Sequence, residues 1–98
     1  MEKRDLKYKV KTVCEYAMLN GENTDWLNVV ESIGDIESEY NSNSGFDFFE
    51  DKDFVKLLEE LVTAVDVLYT LGDSNESKVF RLYLISKIYD RVIKWKVV

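Results

Sequence analysis

The chain has 98 residues, of which 46% are apolar and 13% aromatic, and its net charge is −6. That length accommodates one domain, here 1–98, and the composition is that of a folded globule rather than a disordered segment. With no histidine there is no common acid–base group near neutral pH, no serine–histidine triad and no histidine-ligated zinc, and a single cysteine, Cys14, allows neither a disulfide framework nor a thiolate zinc site.

The N-terminal stretch MEKRDLKYKVK is charged, with no apolar core behind it, and no apolar run approaches the roughly 20 residues that span a bilayer. A cytoplasmic protein is therefore expected. Leu6, Val10, Val13, Cys14, Ala17 and Met18 recur at steps of three and four, predicting an amphipathic helix from Arg4 to Asn20 that stops at Gly21. Cys14 sits among these apolar positions and is expected to be a buried free thiol.

A second helix is predicted from Thr24 or Asp25, either of which suits its first turn as a cap, to Tyr40. Trp26, Leu27, Val30, Ile33 and Ile36 or Glu37 trace its expected inner face. Gly34 marks a kink or a close packing contact.

The stretch EYNSNSGFDFFEDKD, residues 39–53, reads as a polar connection followed by an acidic helix start, which suits the helix dipole. Twelve of its residues resemble an EF-hand calcium loop: Glu39, Asn41, Asn43, Gly45, Asp47 and Glu50 fall at positions 1, 3, 5, 7, 9 and 12, with Phe46 at the apolar position 8. Position 1 is Glu rather than Asp, Ser44 stands where the sharp turn needs glycine, and no second such loop exists to pair with it. No metal and no cofactor is expected.

The strongest helical signal runs from Asp47 or Asp51 to Leu71. Phe54, Leu57, Leu58, Leu61, Val62, Val65, Leu68 and Tyr69 form one broad apolar face, Asp47 and Glu50 have capping-box spacing, and Gly72 follows. A fourth helix is predicted from Ser74 to Lys96. Its apolar residues Val79, Phe80, Leu82, Tyr83, Ile85, Ile88, Tyr89, Val92, Ile93 and Trp95 cover more than one stripe, while Arg81, Lys87, Arg91 and Lys94 mark a wetter side. The terminal VIKWKVV is β-prone but has no partner strand. Four amphipathic helices with short connections predict an all-α, small antiparallel four-helix bundle.

Charge divides the chain unevenly. Residues 1–20 hold five basic and three acidic residues, so +2; residues 21–66 hold two basic and thirteen acidic, so −11; residues 67–98 hold six basic and three acidic, so +3. The block is either balanced by packing beside the positive first and last helices or presented to a basic partner, whose approach complementary fields speed. Aromatics inside a charged rim suit an interface. The expected contacts are Glu37, Glu39, Phe46, Phe48, Glu50, Asp51 and Asp53, on a small, non-catalytic, acidic domain that occludes a basic protein surface in the manner of an inhibitor, immunity protein or phage-type modulator. The alternative is a structural homodimer joined through the wide apolar face of the fourth helix.

Nucleic acid is disfavoured as a partner because a polyanion needs more base than the small patches at Lys3–Lys11 and Lys87–Lys96 supply, unless the two adjoin. Membrane contact through the fourth helix is disfavoured because a core helix explains the same aromatics. No phosphate-binding glycine motif is present, and the carboxylate pairs, such as Glu59 with Glu60 or Glu31 with Asp35, have the spacing of ordinary surface.

Overall fold

The computed structural model describes the backbone of residues 3–43 and 51–96, with side chains for 4–39 and 51–96. It is an all-α four-helix bundle: α1 spans Lys3–Asn20, a 3₁₀ turn Gly21–Asn23, α2 Trp26–Asn43, α3 Lys52–Leu71 and α4 Asn75–Ile93. No strand occurs among the described residues. Of the β-prone terminal stretch, Val92 and Ile93 end α4 and a turn follows, in which the Lys94 and Trp95 amides donate to the carbonyls of Arg91 and Val92; residues 97–98 lie outside the described residues.

The helix ends follow local chemistry. Gly21 takes φ +53°, a left-handed conformation that glycine adopts at little cost, and lets the chain leave α1. Thr24 then donates its hydroxyl to the Ala17 carbonyl at 3.0 Å, satisfying an acceptor that the end of α1 leaves open. Asp25 is therefore the cap of α2, accepting from the Asn28 amide at 3.1 Å. Asp51 caps α3 through the Phe54 amide and Ser74 caps α4 through the Ser77 amide. The Asp47–Glu50 capping box lies outside the described residues.

Successive helices run antiparallel, the start of one meeting the end of the next, and α4 packs along both α1 and α3, while of the consecutive helix pairs α2 and α3 touch least. Lys7, in the first turns of α1, donates to the carbonyls of Ile93 and Trp95 at 3.0 Å each and so places a cation on the C-terminal end of α4. The core comprises Leu6, Val10, Cys14 and Ala17 from α1, Trp26, Val29 and Ile33 from α2, Phe54, Leu61, Ala64 and Val65 from α3, and Leu84, Ile85, Ile88 and Val92 from α4, closed by Trp95. Burying each Leu, Ile, Val or Phe contributes about 1.5–3 kcal/mol.

Several expected faces are rotated. On α2, Val29 is buried and Leu27 is exposed, because the inward stripe runs 26–29–33. On α1 and α3, Met18, Val62 and Tyr69 turn outward, and Ala64 takes a core place. Gly34 makes no close contact, since a Cβ built there meets nothing within 4 Å. The largest correction is Arg81, expected on the wet side of α4 and found 1% exposed. Counting back from Val92 through Ile88, Ile85 and Leu84 reaches Arg81, so the core stripe itself carries the arginine inward.

Candidate protein-binding surface

Two polar clusters hold the ends of the bundle in place. At one end the Asp51 carboxylate accepts from the Phe54 amide at 3.1 Å, from Arg91 Nη2 at 2.9 Å and Nε at 3.2 Å, and from the Trp95 indole at 2.6 Å. Phe54 and Trp95 meet edge to face, with centroids 4.9 Å apart. Burial alone would push the Asp51 carboxyl up; the hydrogen bonds from Arg91, Trp95 and Phe54, with the charge of Arg91, outweigh it and hold the carboxyl below the usual carboxylate value. One residue thus starts α3 and ties it to the end of α4.

At the other end Arg81 grips Asp73 in a fork, Nη1 to Oδ1 and Nη2 to Oδ2 at 3.0 Å each, and reaches Ser77 Oγ at 2.8 Å. Its guanidinium lies 5.3 Å from the centre of the Trp26 ring. The Arg81 Nε and the Trp26 indole N–H are buried without a hydrogen-bond partner. With no free donor turned to solvent, this cluster has the form of a structural pin rather than an anion site.

From the Asp51 end along the first half of α3, the loose contact of α2 with α3 leaves a shallow groove of about 400 Å³ lined by Glu37, Phe54, Val55, Leu58, Glu59, Val62 and Thr63. Its floor is apolar and two carboxylates stand on its margin. Around it the acid of the middle helices is only partly matched by base. Glu39 pairs with Lys9 at 3.8 Å, Glu22 with Lys78 at 3.7 Å, and Asp51 and Asp53 with Arg91. Among the described residues, Glu31, Asp35, Glu59, Glu60 and Asp66 make no ion pair. Packing beside α1 and α4 therefore neutralises some carboxylates of the acidic block and leaves others without an ion pair.

The residues expected at an interface fall into three groups. Glu37 lines the groove, while Glu39 and Asp53 are exposed but do not line it, reaching Lys9 of α1 and Arg91 of α4 instead. Asp51 has its oxygens engaged within the chain, and its side chain is 9% exposed. Phe46, Phe48 and Glu50 lie outside the described residues. Val55, Leu58, Glu59 and Val62 were not among the expected contacts; their signal was an apolar face on α3 too broad for one neighbouring helix to cover.

The two basic stretches do adjoin at the end where α1 begins and α4 stops. Lys7 is bonded to carbonyls, Lys9 to Glu39, Lys11 to Glu15 and Arg91 to Asp51, so much of that base is engaged within the chain. The EF-hand resemblance is overtaken by the backbone, because α2 continues through Asn43 and its first five positions are helical. Among the described residues no three Asp, Glu, His or Cys side chains converge as a metal site would need, and no helix is long and apolar enough to cross a membrane. Cys14 is buried, and burial together with Glu15 pushes its thiol up to about 12. No protein-family model, curated protein or solved structure matches the chain.

Proposed function

We propose that this domain acts without catalysis of its own, by binding and covering a basic surface of another protein. The α2–α3 groove and the acidic residues around it form the binding face, in the manner of a small inhibitor, immunity protein or phage-type modulator. The observation that carries this reading is an apolar groove with Glu59 on its margin, on middle helices whose Glu31, Asp35, Glu59, Glu60 and Asp66 make no ion pair within the described residues. An apolar centre inside a polar rim is the anatomy of a protein interface, and a one-signed rim steers a partner of opposite sign. Glu37, Glu39, Asp53 and Glu59 meet the basic partner, Val62 and Leu58 supply apolar contact, and Asp51 supports the face from within. The same charge disfavours nucleic acid as the partner, and a fold of this kind carries no function by itself.

The test is affinity capture from host-cell lysate with the wild type beside a Glu37→Lys/Glu59→Lys/Val62→Asp variant, at low and at raised salt. A basic protein held by the wild type, released by salt and not held by the variant is the expected result. Equal recovery by both proteins, or retention indifferent to salt, overturns the assignment of this face. A second reading, a structural homodimer joined through α4, is favoured by one observation of its own: Val79, Phe80 and Tyr83 are exposed on that helix.

A further inference from the structure

α4 has two stripes, and only one of them builds the core. Arg81, Leu84, Ile85, Ile88 and Val92 point inward. Glu76, Val79, Phe80, Tyr83 and Lys87 follow one another at steps of three, one, three and four, which places them together on another side of the helix. Val79 is 67% exposed, Phe80 46% and Tyr83 53%. The Phe80 and Tyr83 rings lie 6.5 Å apart and nearly parallel, and the Lys87 ammonium sits 5.6 Å from the Tyr83 ring centre. A shallow apolar depression of about 490 Å³ runs along Asn75, Glu76, Val79, Phe80 and Tyr83. The core is filled without any of these side chains, so the fold does not account for them.

The order of charge along the stripe says what would cover it. Acid stands at the N-terminal end, base at the C-terminal end, and three large apolar side chains lie between. Residues 76 and 87, like 80 and 83, are equidistant from the point between 81 and 82. A two-fold interface uses the same patch on both copies and must be complementary to itself. We propose that the stripe is a self-association surface on which α4 of a second copy packs antiparallel, Phe80 against the partner's Tyr83 and Glu76 against the partner's Lys87. A parallel pairing would set acid on acid and base on base. A basic peptide would meet Lys87, and an acidic one Glu76. A second copy running the other way satisfies both ends at once.

This self-pairing rests on the homodimer reading and not on the acidic-face reading: the stripe lies on α4 and the groove between α2 and α3, with a depression of about 740 Å³ between them that Glu59 and Thr63 line from one side and Glu76 and Phe80 from the other. A dimer built on it carries two acidic grooves.

The experiment is sedimentation equilibrium of the full chain, run up to roughly 100 µM because a patch of this size gives a weak interface. The monomer mass is 11.5 kDa. The wild type is expected to approach twice that mass, and to do so in salt that abolishes partner capture. Phe80→Glu is expected to remain a monomer while keeping the wild-type far-UV circular dichroism, since the ring is not part of the core. Glu76→Lys and Lys87→Glu alone each place like charges at two symmetry-related contacts and are expected to weaken dimerisation roughly three- to tenfold. The double reversal Glu76→Lys/Lys87→Glu is expected to restore it. A monomeric wild type, or a dimer indifferent to Phe80→Glu, overturns the proposal. Failure of the double reversal to rescue a dimer that the single ones weaken overturns the antiparallel pairing. A wild type that dimerises but captures no basic protein even at low salt would refute the acidic face alone.

Discussion

Replacing Arg81 by methionine should cost far less than replacing its partner. Arg81 is 1% exposed, whereas the Asp73 side chain keeps 28% of its surface open to water. Methionine retains the long apolar stem against Trp26 and removes a buried Nε that has no partner, a group whose unmet hydrogen bond costs about 1–3 kcal/mol. It gives up the stacking on Trp26, about 0.5–2 kcal/mol, and the fork to Asp73, whose carboxylate is then rehydrated. These changes nearly offset, and Arg81→Met should stay within about 1 kcal/mol of the wild type, because the charge it leaves behind, on Asp73, is open to water rather than buried. Asp73→Ala does the opposite: it removes the fork and strands a buried guanidinium with the Ser77 hydroxyl as its remaining oxygen partner, and its melting temperature should fall well below that of Arg81→Met.

A pH series separates this cause from simple loss of packing. Hydrogen bonds from Arg81, opposed by burial, hold the Asp73 carboxyl below its usual value. A carboxyl with a lower pKa in the folded chain stabilises the fold above its unfolded pKa, about 3.9, and that contribution is lost as pH falls through the folded value. Arg81→Met should therefore flatten the acid side of the stability profile below about pH 4, leaving the share that Asp51 contributes in place. Thermal and urea unfolding of the wild type, Arg81→Met and Asp73→Ala across that range is the assay. If Arg81→Met is as damaging as Asp73→Ala at neutral pH, or if its acid limb matches the wild type, the reasoning about a stranded charge is refuted.

Three further outcomes are expected. Phe54→Ala removes a fully buried ring and its edge contact with Trp95, and should cost about 3–5 kcal/mol in urea unfolding; a loss under about 1 kcal/mol would show that the site is not packed as described. Gly34→Ala should raise stability by about 0.4–1 kcal/mol, because the helical position is exposed and an added Cβ meets no atom within 4 Å; a fall in melting temperature would contradict that. Cys14, buried and with its thiol pushed up to about 12, should resist an aromatic disulfide reagent at mildly alkaline pH until the chain unfolds; rapid labelling of the folded protein would count against its burial.

Much of the fold was legible in the residues because helices are written locally. The steps of three and four, Asp25 and Ser74 at helix starts, and Gly21 and Gly72 at helix ends place four helices with boundaries close to those observed. Which way each helix turns was less legible. On α4 two apolar stripes compete, and the one that includes an arginine is the one buried. Hydrophobicity alone ranks Phe80 and Tyr83 above Arg81 for the interior. The outcome depends on Asp73, eight residues away, being delivered by the α3–α4 connection to the spot where a buried guanidinium can be paired.

The same division holds for the candidate surface. The acidic excess of residues 21–66 is plain from their order, and so is the absence of histidine chemistry. Whether that acid is neutralised could not be counted along the chain. It depends on α1 and α4 bringing Lys9, Lys78 and Arg91 to the edges of the block, out of reach of Glu31, Glu59 and Asp66. Sequence by itself determined the helices, their ends and the sign of the charge, because backbone capping and periodicity act over a few residues. Tertiary structure alone decided which apolar stripe faces water, which carboxylates keep their charge unmatched and where the groove opens, because burial and pairing are settled between residues that only packing brings together.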